Sequence, residues 1–172
     1  MAIEWGSVAS WVSGLGSFAA VATALYLSRD AQRIKLNGYC GLRVVVGGGM
    51  PKKELLFISV TNIGSRPATI SNIGMTVGRF KKKRFAIITA VKDAYSDGIP
   101  VTIGDGEVAK WGIPIGVDKK WIKDLANDFV LTEKDADTLR FVVYTTHGHD
   151  KILKPEEPLV NEIKKEIQAK NA

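Results

Sequence analysis

In the stretch VTNIGSRPATISNIG, residues 60–74, two β-like runs meet at a corner, and this corner indicates how the chain folds. The Asn62 side chain can bond backbone groups two residues on, Gly64 can adopt a left-handed conformation, and Pro67 cannot donate to a strand ladder. Arg66 is expected to point outward, with its stem along the end of the sheet. These residues predict a structural corner between two sheets rather than a binding site.

Short β-like runs, separated by glycine, proline and asparagine, recur along the middle of the chain. They lie at residues 42–46, 55–61, 68–77, 84–91, 99–103, 107–115 and 138–146. About seven short strands with such turns are typical of an immunoglobulin-like antiparallel β-sandwich, here placed at residues 37–155. The second Asn-Ile-Gly, at 72–74, falls inside a strand pattern and predicts a β-bulge.

This part of the chain resembles bacterial immunoglobulin-like sandwiches. ISVTNIGSRPATISNIGMTVG, followed by VTIGDGEVAKWGIPI, contains an Asn-x-Gly corner at Asn62 and Gly64 and a Gly-Glu hairpin at Gly106 and Glu107. The likeness covers residues 42–146 loosely and extends to uncharacterised small bacterial and prophage proteins with one N-terminal membrane helix. It implies a membrane-anchored sandwich and, through the prophage proteins, a role in phage–host conflict such as superinfection exclusion or defence.

Two helices are predicted beside the strands. The insertion at 117–137 places Trp121, Leu125 and Phe129 on one helical face, which is expected to cap an open end of the sandwich. Residues 156–172 predict a final amphipathic helix. Its apolar stripe consists of Leu159, Ile163 and Ile167. Docking of that stripe on the sandwich is the commoner outcome, and its presentation to a partner is the alternative.

The N-terminal run WGSVASWVSGLGSFAAVATALYL, residues 5–27, contains neither a charge nor a proline. About 20 apolar residues are enough to cross the hydrocarbon core as a helix. Trp5 and Trp11 lie toward one end and Tyr26 toward the other, where amphipathic rings prefer the membrane interface. The pattern predicts a single transmembrane helix with its linker at residues 1–36.

Positive charge follows this run and none precedes it, since Arg29, Arg33 and Lys35 come directly after it. The positive-inside bias then predicts that the C-terminal domain lies in the cytoplasm and the short N-terminus outside. The resemblance to bacterial proteins implies that the membrane is a bacterial inner membrane. A cleaved signal peptide is one alternative, suggested by the small-x-small pattern at 22–24, but a basic region before the apolar run is missing. The buried helix of a soluble protein is the other, and the lack of charge all round the helix disfavours it.

Small residues recur at four-residue spacing in the same run, at Gly6, Ser10 and Gly14. Such ridges let helices approach closely in a membrane, so they predict a self-association face and a homo-oligomer. The alternative is that small residues are simply common in membrane helices.

The densest charge in this chain of net charge +6 lies between two predicted strands, where a hairpin tip is expected. It consists of Arg79, Lys81, Lys82, Lys83 and Arg84. Lipid headgroups and nucleic-acid phosphates could both bind there. Headgroups are favoured because aromatic side chains that could stack on bases are sparse. The alternative is a solvated hairpin that discourages pairing between sheet edges.

Candidate chemistry elsewhere is sparse. His147 and His149 form a weak metal candidate, because the Gly between them indicates a hairpin turn and no further ligand has diagnostic spacing. Cys40 is the only cysteine and cannot form an internal disulfide. Nucleophile-elbow, phosphate-loop, zinc-protease and dinucleotide motifs are all missing, so neither catalysis nor a cofactor is expected.

The sequence therefore predicts a non-enzymatic interaction module tethered to the lipid bilayer, with another protein as its partner. The alternative function is nucleic-acid binding through the basic hairpin at residues 79–84.

Overall fold

A computed structural model describes residues 5–46, 52–79, 82–89 and 94–171. Within them the chain forms eight β-strands, four α-helices and a short 3-10 turn at Val117–Lys119. The strands are β1 (Leu36–Val45), β2 (Lys53–Asn62), β3 (Ala68–Val77), β4 (Arg84–Ile87), β5 (Val101–Ile103), β6 (Val108–Pro114), β7 (Arg140–Thr145) and β8 (Lys151–Leu153). The helices are α1 (Trp5–Ala31), α2 (Lys120–Asp128), α3 (Glu133–Thr138) and α4 (Glu157–Asn171).

The strands form two antiparallel sheets around one hydrophobic core. One sheet has the order β1-β2-β6, and the other has the order β4-β3-β7-β8, with β5 also paired to β3. Strands β2 and β3 each lie between neighbours in their sheets, and most of their residues are buried or half-buried. The prediction of a mainly β, antiparallel fold preceded by an apolar helix is confirmed.

The two sheets and helices α2–α4, from Leu36 onward, are here called the body. The strand register defines its two ends. At the linker end, where α1 enters, Leu36 of β1 pairs with Asn62 of β2, and the corner leads into β3 at Ala68. At the distal end, Val77 of β3 pairs with Arg84 of β4. A strand rises about 3.3 Å per residue, so the ten residues of β3 separate the two ends by about 30 Å.

Helix α4 docks on the body through the stripe that the sequence indicated. Leu159, Ile163 and Ile167 are all buried, and the helix packs on α2, α3 and β1. Full burial of such an aliphatic side chain contributes about 1.5–3 kcal/mol relative to exposure, so this docking is a substantial part of the core. Of the two predicted outcomes for the stripe, docking is the one observed.

The helical insertion differs from its prediction, since it forms two helices, α2 and α3, instead of one. Thr132 begins the second, where its Oγ1 accepts a hydrogen bond from the Asp135 N–H at 3.1 Å. The buried face of α2 is Ile122, Leu125 and Ala126. Trp121 is only half-buried, and Phe129 lies just beyond the end of α2. Because α2 follows β6 and α3 precedes β7, both helices lie at the distal end with α4.

Four strand predictions need smaller corrections. Strand β1 begins at Leu36 instead of residue 42, because Gly38 and its neighbours continue the ladder with β2. Strand β4 ends at Ile87, and part of its predicted extension lies outside the described residues. Strand β8 was not predicted at all. The register of β3 with β7 shifts between Ile70 and Asn72, so the irregularity lies beside the predicted bulge rather than in it.

Candidate functional site

The side chain of Asn62 is fully buried at the corner between β2 and β3. Its Nδ2 donates to the carbonyls of Arg66 at 2.8 Å and Ile103 at 3.1 Å, and its Oδ1 accepts from the Gly64 N–H at 3.0 Å. The backbone of Gly64 is not left-handed, so that part of the prediction is wrong. Its lack of a side chain matters instead because a Cβ would lie 3.1 Å from the Arg33 carbonyl oxygen.

The corner also holds the linker that follows α1. Ser65 Oγ donates to the Ala31 carbonyl at 3.0 Å, and the Ile63 N–H donates to the Lys35 carbonyl at 2.8 Å. Arg66 is exposed, with Nη1 3.5 Å from the Gln32 carbonyl, and the exposed Pro67 leads into β3. Three residues of the corner, Ile63, Ser65 and Arg66, thus fasten the body to the end of α1 and its linker.

Helix α1 stands away from the body. Its segment Ser10–Ala31 is long and apolar enough to cross a membrane, and no part of it is buried. Large side chains there are open to the surroundings, with Trp11 74% and Phe18 73% exposed. The predicted self-association residues Gly6, Ser10 and Gly14 fall on α1, and a Cβ on Gly14 would have no neighbour within 4 Å.

The two histidines lie in the turn between β7 and β8, and both are exposed. Gly148 between them has φ +72°, which suits a tight turn. Asp150 Oδ1 accepts from the Thr145 N–H at 3.1 Å, so this carboxylate serves the turn. Among the described residues there is no group of three or more His, Cys, Asp or Glu side chains placed to hold a metal ion.

The basic hairpin joins β3 to β4 at the distal end, although Lys81 lies outside the described residues. Arg84 is not available to a ligand in the way the sequence suggested. Its Nη2 is 2.8 Å from Asp135 Oδ2 of α3, and its guanidinium lies 5.9 Å from the centre of the Phe129 ring. The ion pair ties the hairpin to α3.

A cleft of about 470 Å³ opens between this hairpin and α3. It is lined by Gly78, Arg79, Lys82, Lys134, Asp135, Asp137 and Thr138. The Gly78 N–H donates to Thr138 Oγ1 at 2.9 Å, which fixes the floor. Gly78 has φ +90°, and a Cβ there would collide with the Lys82 carbonyl, so the turn requires glycine.

The charges in this distal cleft do not cancel. Asp135 is paired with Arg84, and Asp137 Oδ1 is 2.7 Å from Lys164 Nζ of α4. Three further cations line the cleft, and within the described part of the chain none of them has an ion-pair partner. They are Arg79, Lys82 and Lys134. The cleft is therefore an electropositive concavity.

Its position bears on the prediction of lipid binding. The hairpin lies about 30 Å from the linker end, where any membrane that holds α1 would be. At physiological salt the Debye length is about 8 Å, so attraction to that leaflet would be largely screened. With β3 directed away from that membrane, this separation disfavours its headgroups as the ligand of Arg79–Arg84.

Sequence reasoning found the hairpin but missed Lys134 and Thr138, the cleft's other wall. They are more than fifty positions away along the chain, and only the packing of α3 beside β3 brings them near. No spacing rule links residues so placed.

No protein-family model matches this chain, and no curated protein is similar enough to count as a match. Function is therefore inferred from the fold and the geometry of the site.

Proposed function

We propose that this chain is a non-enzymatic, single-pass membrane protein whose β-sandwich serves as an interaction module held at the bilayer. The observation that carries the proposal is the complete exposure of the apolar segment Ser10–Ala31, beside a body that buries its own core without it. A soluble protein seldom leaves so large a contiguous apolar surface in water.

The dimensions of the helix support this assignment. At 1.5 Å per residue the 22 residues of Ser10–Ala31 span about 33 Å, close to the roughly 30 Å of hydrocarbon in a bilayer. Trp11, Leu15 and Phe18 are each mostly exposed, and moving such a side chain into apolar surroundings is worth about 1.5–3 kcal/mol. A bilayer supplies those surroundings.

The orientation follows from charge. Arg29 lies in the last turn of α1, and Arg33 and Lys35 lie between α1 and β1, so all three are on the body's side of the apolar run. The positive-inside rule supports a body in the cytoplasm. A bacterial inner membrane as the host bilayer rests on the resemblance to small bacterial membrane proteins. The tether would hold the distal end of the body at the membrane and so raise its local concentration near a partner there.

We also infer that the body is an immunoglobulin-like sandwich. Its first, second and sixth strands share one sheet, and its third, fourth, fifth, seventh and eighth share the other. Immunoglobulin-like domains likewise divide strands A, B and E from strands C, F and G, with loops gathered at the two ends. The fifth strand differs, because it pairs with the third, whereas strand D lies in the sheet of A, B and E. The added helices α2, α3 and α4 distinguish this chain from a plain sandwich.

Nucleic-acid binding at residues 79–84 is the second candidate. The distal position of the hairpin favours it over lipid, because a polyanion in solution can reach that end freely. The pairing of Arg84 with Asp135 counts against it, since one of the predicted phosphate contacts is already occupied. Binding to single-stranded or duplex DNA that weakens steeply with salt would support this candidate.

The test of the main proposal is fractionation of cells that express the full chain, followed by protease treatment of spheroplasts. We expect the protein in the membrane fraction after carbonate extraction, with the body protected until the cells are lysed. Release of the intact chain by carbonate would contradict the tether, and digestion in intact spheroplasts would contradict the orientation.

A matched pair of variants sharpens the result. Phe18→Arg places a charge in the middle of the apolar segment, at a cost of about 2.5–3.5 kcal/mol for insertion. Ile87→Arg places the same charge on an exposed strand position of the body. We expect only Phe18→Arg to lose membrane retention, and equal loss in both variants would contradict the assignment of α1.

A further inference from the structure

We propose that the distal cleft is a binding site for linked phosphate groups, such as those of a nucleoside diphosphate or triphosphate or of free pyrophosphate. The site is distinct from the membrane tether and does not require it.

The charge of the cleft suits two or more phosphates. Arg79, Lys82 and Lys134 have no ion-pair partner among the described residues, and the two carboxylates beside them are already neutralised. A phosphate group carries about −1.5 to −2 near pH 7, so one would leave positive charge uncompensated, whereas two would balance the three cations. An arginine can bind a phosphate through two parallel hydrogen bonds, and the lysines add point charges.

The cleft is built from two walls that other contacts hold together. Arg79 and Lys82 belong to the hairpin, whereas Lys134 belongs to α3. The 2.9 Å hydrogen bond from Gly78 to Thr138 and the Arg84–Asp135 pair fix one wall against the other. The backbone segments that carry the three cations are therefore held together before a ligand arrives, although the exposed cationic side chains must still be ordered on binding.

The size and lining favour a small ligand over a polymer. A volume of about 470 Å³ falls within the roughly 300–1,000 Å³ typical of small-molecule sites. The described lining contains no aromatic side chain on which a base could stack, and its cations converge on one cleft instead of forming a stripe. Recognition would thus be directed at the phosphates and not at a base or a strand.

The experiment measures binding to the full chain in a neutral detergent at low salt, by calorimetry. The probes are pyrophosphate, ADP, AMP and inorganic phosphate. We expect pyrophosphate and ADP to bind with similar affinity, and AMP and phosphate to bind about tenfold more weakly because each offers one phosphate group. Equally weak binding of all four probes would overturn the proposal, and so would the absence of binding by any of them.

Variants assign the signal to the cleft. Arg79→Gln and Lys134→Gln, one from each wall, should each weaken pyrophosphate binding about tenfold while leaving the melting temperature unchanged. The control Lys154→Gln removes an exposed lysine outside the cleft that has no ion pair among the described residues, and it should bind like the wild type. Equal weakening in all three variants would show a general charge effect and overturn the assignment.

Two further arms separate the competing anions. A 20-nucleotide single-stranded DNA and vesicles of phosphatidylglycerol are each offered to the same sample, with pyrophosphate as competitor. We expect pyrophosphate to displace whatever binds through the cleft. Tight binding of DNA or vesicles that pyrophosphate cannot displace, together with no binding of pyrophosphate itself, would replace the small-ligand site with a polymer or lipid surface.

Discussion

Arg43 of β1 forms a bidentate ion pair with Glu156, the residue before α4. The Nη1–Oε2 and Nη2–Oε1 distances are both 2.7 Å. The Glu156 N–H also donates to the Cys40 carbonyl at 2.9 Å. The start of α4 is thereby fixed to the middle of β1. A Cβ on Gly41 would collide with the Glu156 carboxylate, so this join also depends on a glycine.

Removal of this pair should destabilise the body modestly. The side chains of Arg43 and Glu156 are 41% and 37% exposed, so solvent screens the pair, and we expect Glu156→Gln to lower the free energy of unfolding by about 1 kcal/mol. Chemical denaturation of Arg43→Met, Glu156→Gln and the double variant measures the coupling. Fully additive effects would contradict a direct interaction.

The same pair gives the stability a predictable pH dependence. Hydrogen bonds from Arg43 lower the pKa of Glu156 against a smaller opposing effect of desolvation. A lowered folded-state pKa stabilises the protein above the unfolded value, about 4.3, and that contribution disappears as pH falls through the folded pKa. The difference in unfolding free energy between wild type and Glu156→Gln should therefore be present at neutral pH and shrink toward zero in acid. A constant difference across this range would contradict the linkage.

Cys40 should be inert in the folded protein. Its side chain is fully buried, and desolvation, assisted by the nearby Glu156 charge, raises the pKa of the thiol well above its ordinary value. We expect alkylation by iodoacetamide to be at least about a hundredfold slower in native buffer than in denaturant. Because the chain has one cysteine, intact mass spectrometry reads the reaction directly. Prompt labelling under native conditions would contradict the burial.

Asn62→Ala should be among the more damaging single substitutions. It would leave the carbonyls of Arg66 and Ile103 and the N–H of Gly64 without their partner inside the corner. Each unsatisfied buried group costs about 1–3 kcal/mol, and we expect a total loss of about 3 kcal/mol on thermal or chemical denaturation. The control Asn127→Ala, at an exposed position of α2, should stay within about 0.5 kcal/mol of the wild type. Similar losses in both would show that the corner bonds are not responsible.

Docking of α4 can be tested with Ile163→Ala. Ile163 is fully buried against the core, and loss of a buried isoleucine side chain typically costs about 2–5 kcal/mol. Asn161→Ala, two residues earlier on the exposed side of the helix, is the matched control. A small effect at Ile163, comparable with that at Asn161, would mean that the helix does not depend on this contact.

The strands that the sequence predicted best are those whose local chemistry agrees with the fold. β3 has the predicted bounds, residues 68–77, and β2 extends the predicted run by only a few residues. The first predicted run begins at residue 42, whereas β1 begins at Leu36, because Gly38 and Gly41 weaken the strand signal of its first half. In this half of β1, pairing with β2 determines the strand. A Cβ at Gly38 would lie on the Ser59 carbonyl of β2, so close packing and not propensity selects glycine.

The site was predictable only in part, for a related reason. The run of basic residues at 79–84 is a local signal, whereas the engagement of Arg84 with Asp135 arises from the packing of α3 against β3. The alignment of the hairpin with the end opposite α1 follows from strand register, which a list of runs does not contain. Charge density could be read from the sequence, but the direction in which that charge faces could not.

The junction between α1 and the body is short and couples the movements of the two parts. Only four residues lie between Ala31 and Leu36, and the corner fastens them through Ile63 and Ser65. Such a joint leaves little room for swivelling, so a tilt or rotation of the helix would be transmitted to the body as a lever. If two copies associated through their α1 helices, the crossing angle of the helices would set the relative orientation of the two distal clefts.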